Sequence, residues 1–80
     1  MIFEDLFYVL PTNIQIQVVG LEDVDENGET TQRCYSHGKL TRIEYDLERV
    51  DIGEYKLRDA DVLQVEPVMK DCLQITVLDK

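Results

Sequence analysis

The chain has no tryptophan, two prolines, two cysteines, one histidine and only eight basic residues among eighty. Each shortage excludes something. Two cysteines, Cys34 and Cys72, are too few for the disulfide framework of a small secreted domain. The four glycines are scattered singly, so there is no glycine-rich phosphate loop. No apolar run approaches the roughly 20 residues needed to span a bilayer. Glu4 and Asp5 stand where a secretory signal would carry Lys or Arg, so the expected state is a reduced cytoplasmic protein. Lys39, Arg42, Arg49, Lys56 and Arg58 are interleaved with Glu44, Asp46, Glu48, Asp51, Glu54 and Asp59. No net basic stripe results, and direct nucleic-acid binding is not expected. Tyr35, Tyr45 and Tyr55 then read as packing residues with surface hydroxyls rather than platforms for bases.

What the chain does have is acid. Seventeen Asp and Glu give a formal charge of −9. Such a surplus aids solubility, costs stability by self-repulsion and attracts basic surfaces. Five acids, Glu22, Asp23, Asp25, Glu26 and Glu29, fall in a stretch free of bases. A second set, Glu44, Asp46, Glu48, Asp51, Glu54, Asp59 and Asp61, lies further along. The 44% hydrophobic content is that of a folded protein, and eighty residues make one domain spanning 1–80.

Apolar periodicity divides the chain. Phe3, Leu6, Phe7 and Leu10 repeat at i, i+3, i+4 and i+7, the stripe of a short amphipathic helix of about nine residues that Pro11 stops. Residues 13–21 alternate, with Ile14, Ile16 and Val18 on one side and Gln15, Gln17 and Val19 on the other, as in a sheet covered on one face. Asn27-Gly28 is a strong hairpin turn signal. A return strand is predicted over 30–35, ended by Ser36-His37-Gly38. Residues 40–55 read either as a loop with one helical turn or as a loose helix, broken at Gly53. Strands are predicted over 62–66 and 73–78, paired as a hairpin, with Pro67 at an end or an edge. The expectation is an α+β domain: a short N-terminal helix packed on an antiparallel sheet of about four strands, built from two hairpins. Its predicted core is Phe3, Leu6, Phe7, Leu10, Ile14, Ile16, Val18, Leu63, Val65, Leu73, Ile75 and Val77.

Candidate sites are few. Asp23, Asp25, Asn27 and Gly28 fit the first half of a calcium loop, with Glu29 as a partial substitute for the missing bidentate ligand. The twelfth position is Cys34, and a strand rather than a helix precedes the loop, so an acidic hairpin tip is the preferred reading and no metal is expected. Cys34, His37 and Cys72 offer three soft ligands for zinc, but no fourth is evident. A disulfide between the cysteines would require neighbouring strands. Cys34 and His37 also make a conceivable nucleophilic dyad, without an orienting third group or an oxyanion hole. No cofactor and no enzymatic activity are expected.

The helix Phe3-Glu-Asp-Leu-Phe-Tyr-Val-Leu10, the alternating strand after it, the acidic turn ending in Asn27-Gly28, and the close through Asp61-Val-Leu-Gln-Val-Glu-Pro67 and Leu73-Gln-Ile-Thr-Val77 together resemble small, uncharacterised proteins encoded in phages and prophages of low-GC Gram-positive gut bacteria. The resemblance implies a phage-like accessory role in the cytoplasm of a bacterial host, and it carries no active residues. In size and charge the chain is also similar to anti-CRISPR proteins and DNA mimics. The expected function is therefore non-enzymatic: an acidic inhibitor that docks on a basic, nucleic-acid-binding host protein. Its expected contact residues are Glu22, Asp23, Asp25, Glu26, Glu29, Asp46, Glu48 and Asp51. The alternatives are a small homodimeric assembly protein, whose open sheet edges would pair, and a calcium-binding module.

Overall fold

The computed structural model describes residues 1–79. Phe3 and Phe7 lie one turn apart and anchor α1 (Phe3–Phe7). This helix is shorter than its apolar stripe implies. Val9 and Leu10 donate to the carbonyls of Leu6 and Phe7, three residues back, so the chain tightens into turns before Pro11. Next come β1 (Gln15–Val19), a small hairpin of β2 (Asp23–Val24) and β3 (Thr30–Thr31), and β4 (Cys34–Lys39). After α2 (Leu40–Asp46) a second small hairpin joins β5 (Asp51–Ile52) to β6 (Tyr55–Lys56). A single 3-10 turn, Leu57–Asp59, leads into β7 (Val62–Met69) and β8 (Cys72–Val77).

The α+β class holds, but the sheet is mixed. Its order is β4-β1-β8-β7. β4 runs antiparallel to β1, β7 runs antiparallel to β8, and β1 and β8 pair in parallel at the centre. Parallel neighbours need a long crossover, which α2 and the second small hairpin supply. The expected return strand over 30–35 is also divided. Asn27-Gly28 closes only the two-residue pairing of β2 with β3, and the strand that pairs with β1 starts at Cys34 and runs through Ser36-His37-Gly38. Ser36 and Gly38 lie beneath α2. Ser36 Oγ donates to Asp46 at 2.7 Å, and a Cβ on Gly38 would sit 3.2 Å from the Arg42 side chain.

The core forms on one face of the sheet. Phe3, Ile16, Val18, Ile43, Leu57, Ile75 and Val77 are fully buried, with Phe7, Leu47, Ile52 and Ala60 packed among them. Leu6, Leu10 and Ile14 pack partly against this cluster, and Leu73 is half-buried. Leu63 and Val65 do not join it: they are 49% and 42% exposed. β7 is an edge strand with a register shift between Val62 and Gln64 that leaves Leu63 without a register partner, whereas Val65 lies opposite Ile75 on the core face but at the sheet's edge, where it stays exposed. Ile43, Leu47 and Ile52, from the stretch that read least clearly, and Leu57 just after it fill the space instead.

Candidate functional site

The acidic residues fall into two groups with different surroundings. Glu22, Asp23, Asp25, Glu26 and Glu29 are all exposed on or beside the β2–β3 hairpin. Its tip is held by Asp25, whose Oδ1 accepts the backbone N–H groups of Asn27 and Glu29, each at 2.9 Å. Gly28 completes the turn at φ +80°. Among the described residues no Lys or Arg pairs with Glu22, Asp25, Glu26 or Glu29 within salt-bridge distance.

The root of the hairpin is fastened separately. Asp79 accepts the Leu21 N–H at 3.2 Å and the Tyr35 hydroxyl at 2.9 Å. Gly20 leaves room for that carboxylate, since a Cβ there would overlap Asp79 Oδ2. Burial, then the hydrogen bond to Asp79 and its negative charge, hold the Tyr35 phenol above its ordinary value of 10.0, while nearby Arg33 pulls it down. Arg33 also stacks on the Tyr35 ring at 5.2 Å.

In the second acidic group Asp46, Glu48 and Asp51 are occupied by partners within the chain. Asp46 is buried, 5% exposed, and accepts from Ser36 Oγ and, at 3.4 Å, from Arg42 Nε. Glu48 pairs with Arg58 at 2.5 Å, and Asp51 pairs with Lys56 at 2.6 Å. Arg58 also bridges to Glu4 on α1, and Glu4, then Glu48, raise its already high pKa. Sequence position alone set Asp46, Glu48 and Asp51 beside the hairpin acids as contact residues. The fold gives each of the three a partner within the chain.

The remaining candidate groups stay apart. Cys34 lies opposite Val19 and Cys72 opposite Gln15, on either side of β1. Two strand spacings, about 9.6 Å, separate their strands, too far for a disulfide. Both thiols are free, and Cys34 Sγ is turned to the Ser36 carbonyl at 3.7 Å rather than to His37. Among the described residues no three His, Cys, Asp or Glu side chains converge as a metal site, and Asp25 Oδ1 already holds the hairpin turn.

Two surfaces appear only with the fold. One is an open groove of about 720 Å³ between α1, α2 and the 3-10 turn, flanked by exposed Tyr8 and Tyr45 and floored in part by the Arg58 bridge. Arg49 covers the Tyr45 ring at 4.2 Å. The other is the sheet face opposite the core, where His37, Gln17, Gln74 and Glu66 line up across all four strands. Gln74 Nε2 donates to Glu66 Oε1 at 3.3 Å. Neither was legible beforehand, because the row depends on strand order and the groove on how α1, α2 and the 3-10 turn pack together. The polar face of β1, written as alternating glutamines, was the only advance sign.

The fold thus presents one hairpin of exposed carboxylates, one flat polar row and one groove with aromatic walls. No protein-family model, curated protein or solved structure matches the chain.

Proposed function

We propose that this chain is a non-enzymatic binding protein whose β2–β3 hairpin seats on a basic protein surface. In its most specific form it is a phage-type inhibitor that occupies, as a DNA mimic would, the basic groove of a nucleic-acid-binding host protein. One observation carries the reading. Glu22, Asp25, Glu26 and Glu29 are exposed together on one hairpin without internal cationic partners among the described residues. Exposed charge of one sign speeds encounter with a basic surface and makes association salt-sensitive. Asp46, Glu48 and Asp51 contribute less under this reading, because Arg42, Arg58 and Lys56 already neutralise them.

The test is a titration of a basic partner, purified by affinity from bacterial extract, against the wild type and against the triple variant Glu22→Lys/Glu26→Lys/Glu29→Lys. Asp25 is left in place because it holds the turn. The expected result is a loss of affinity of roughly tenfold or more, mostly in the association rate, and a wild-type affinity that falls steeply with salt. Equal affinity of the two proteins removes the reading.

A further inference from the structure

We infer that two copies of this chain join edge to edge through β4, antiparallel across a two-fold axis. The inference rests on the hairpin reading above, since it names one basic surface on which the hairpin seats. β4 ends the sheet, with β1 as its only strand neighbour among the described residues. The Gln15 N–H donates to the Asp71 carbonyl on the β8 side. Gln15, and Gln17 two residues on, therefore turn their backbone groups toward β8, and their partners Lys39 and His37 turn theirs outward from the sheet. An open edge of this kind is a template for another strand.

The opposite edge is closed to such pairing. Pro67 lacks an N–H, and β7 carries register shifts between Val62 and Gln64 and between Pro67 and Met69. At its start the Val62 N–H is taken by the Met1 carbonyl, and Ile2 bridges Asp61. A sheet that can grow on one side only gives a closed pair rather than a filament.

Charge selects the second copy as the occupant. Residues 30–43 hold Arg33, His37, Lys39 and Arg42 and no acid, in a chain of net charge −9. Residues 22–29 hold five acids and no base. The hairpin enters β4 at its Cys34 end, while Lys39 and Arg42 lie at the other. Antiparallel pairing sets the Cys34 end of one protomer beside the Lys39 end of its partner. Each acidic hairpin then comes to the partner's Lys39 and the partner's Arg42, and the two-fold axis repeats the match. At physiological salt the Debye length is about 8 Å, so the overall repulsion of two acidic chains is screened while pairs in contact are screened less.

The experiment is a charge swap read by sedimentation equilibrium at physiological salt, with no other protein present. The wild type sediments as a dimer. The hairpin variant Glu22→Lys/Glu26→Lys/Glu29→Lys and the strand variant Lys39→Glu/Thr41→Glu are each monomers, and an equimolar mixture of the two is again a dimer. All five substituted side chains are exposed, and acids at residues 39 and 41 suit the start of α2. Far-UV circular dichroism verifies that both variants fold. In the wild-type dimer the His37 amide is protected from hydrogen exchange, and dilution removes that protection. A wild type that stays monomeric, a mixture that stays monomeric, or a dimer whose His37 amide exchanges freely overturns the inference. None of these outcomes touches the titration of a basic partner, so the two readings fail separately.

Discussion

Residues 22–29 and residues 46–51 are both acidic, yet the fold uses them in opposite ways. The first group stands on a hairpin that makes its own turn through Asp25 and leaves Glu22, Glu26 and Glu29 exposed. In the second, Asp46, the last residue of α2, turns inward against Ser36 and Arg42, while Glu48 and Asp51 answer Arg58 and Lys56. Asp46 is part of the packing, Glu48 and Asp51 are paired at the surface, and the hairpin carboxylates are exposed. Counting acids along a sequence cannot separate the two roles, because what divides them is the distance to a cation or hydroxyl brought in from elsewhere in the chain.

The contrast predicts a graded series. Asp46→Ala carries the largest cost, about 2–3 kcal/mol, because it strands the buried Ser36 hydroxyl and removes a charged acceptor. Urea melts should show the drop, and restoring shape without charge in Asp46→Asn should recover only part of it. A change smaller than about 0.5 kcal/mol for Asp46→Ala would place this residue with ordinary surface substitutions and erase the contrast.

Next in size is the hairpin root. Tyr35→Phe removes the hydrogen bond to Asp79 and should cost about 1 kcal/mol at neutral pH. The same bond has a pH signature. The Tyr35 phenol titrates higher in the folded chain than its ordinary value of 10.0, so folding favours its protonated form. That stability is fully present below pH 10.0 and is lost as pH rises through the raised folded value. Wild type should therefore lose stability at alkaline pH faster than Tyr35→Phe does, and parallel alkaline limbs would show that the contact contributes nothing.

The hairpin tip comes third. Asp25→Ala takes away the acceptor for the Asn27 and Glu29 amides and should cost roughly 0.5 kcal/mol, since water replaces it at an exposed site. Amide exchange at Asn27 and Glu29 should accelerate while the core amides of β1 and β8 keep their protection. Smallest of all is the triple hairpin reversal, expected within about 0.5 kcal/mol of wild-type stability. A large loss there would mean that the hairpin acids hold the fold together, and the two regions would no longer differ.

Legibility in the sequence follows the range of the forces involved. Ile16 and Val18 alternate with glutamines, and Leu73, Ile75 and Val77 repeat the pattern, so both central strands could be read from nearest neighbours alone. Asn27-Gly28 announced its turn because two adjacent residues set it. The pairing of β1 with β8 could not be read that way. Two alternating strands state that each wants a covered face, and they do not state which neighbour supplies the hydrogen bonds. Leu63 and Val65 misled for the same reason: their apolar pattern is real, but on an edge strand with a bulge it meets solvent. The exposed hairpin acids were legible as a run without bases, whereas the burial of Asp46 required Ser36 to arrive from β4.

Composition by itself determined that this chain folds, that its charge is strongly negative, and that five carboxylates share one turn, because those properties belong to single residues or to residues a few bonds apart. Only the tertiary structure decided that β4 became the open edge, that β7 was closed by Pro67 and the first three residues, and that Glu4, Asp46, Glu48 and Asp51 found internal cations. Those outcomes depend on which strands lie side by side, and hydrogen bonds between strands are indifferent to side-chain identity until packing on the core face selects an order.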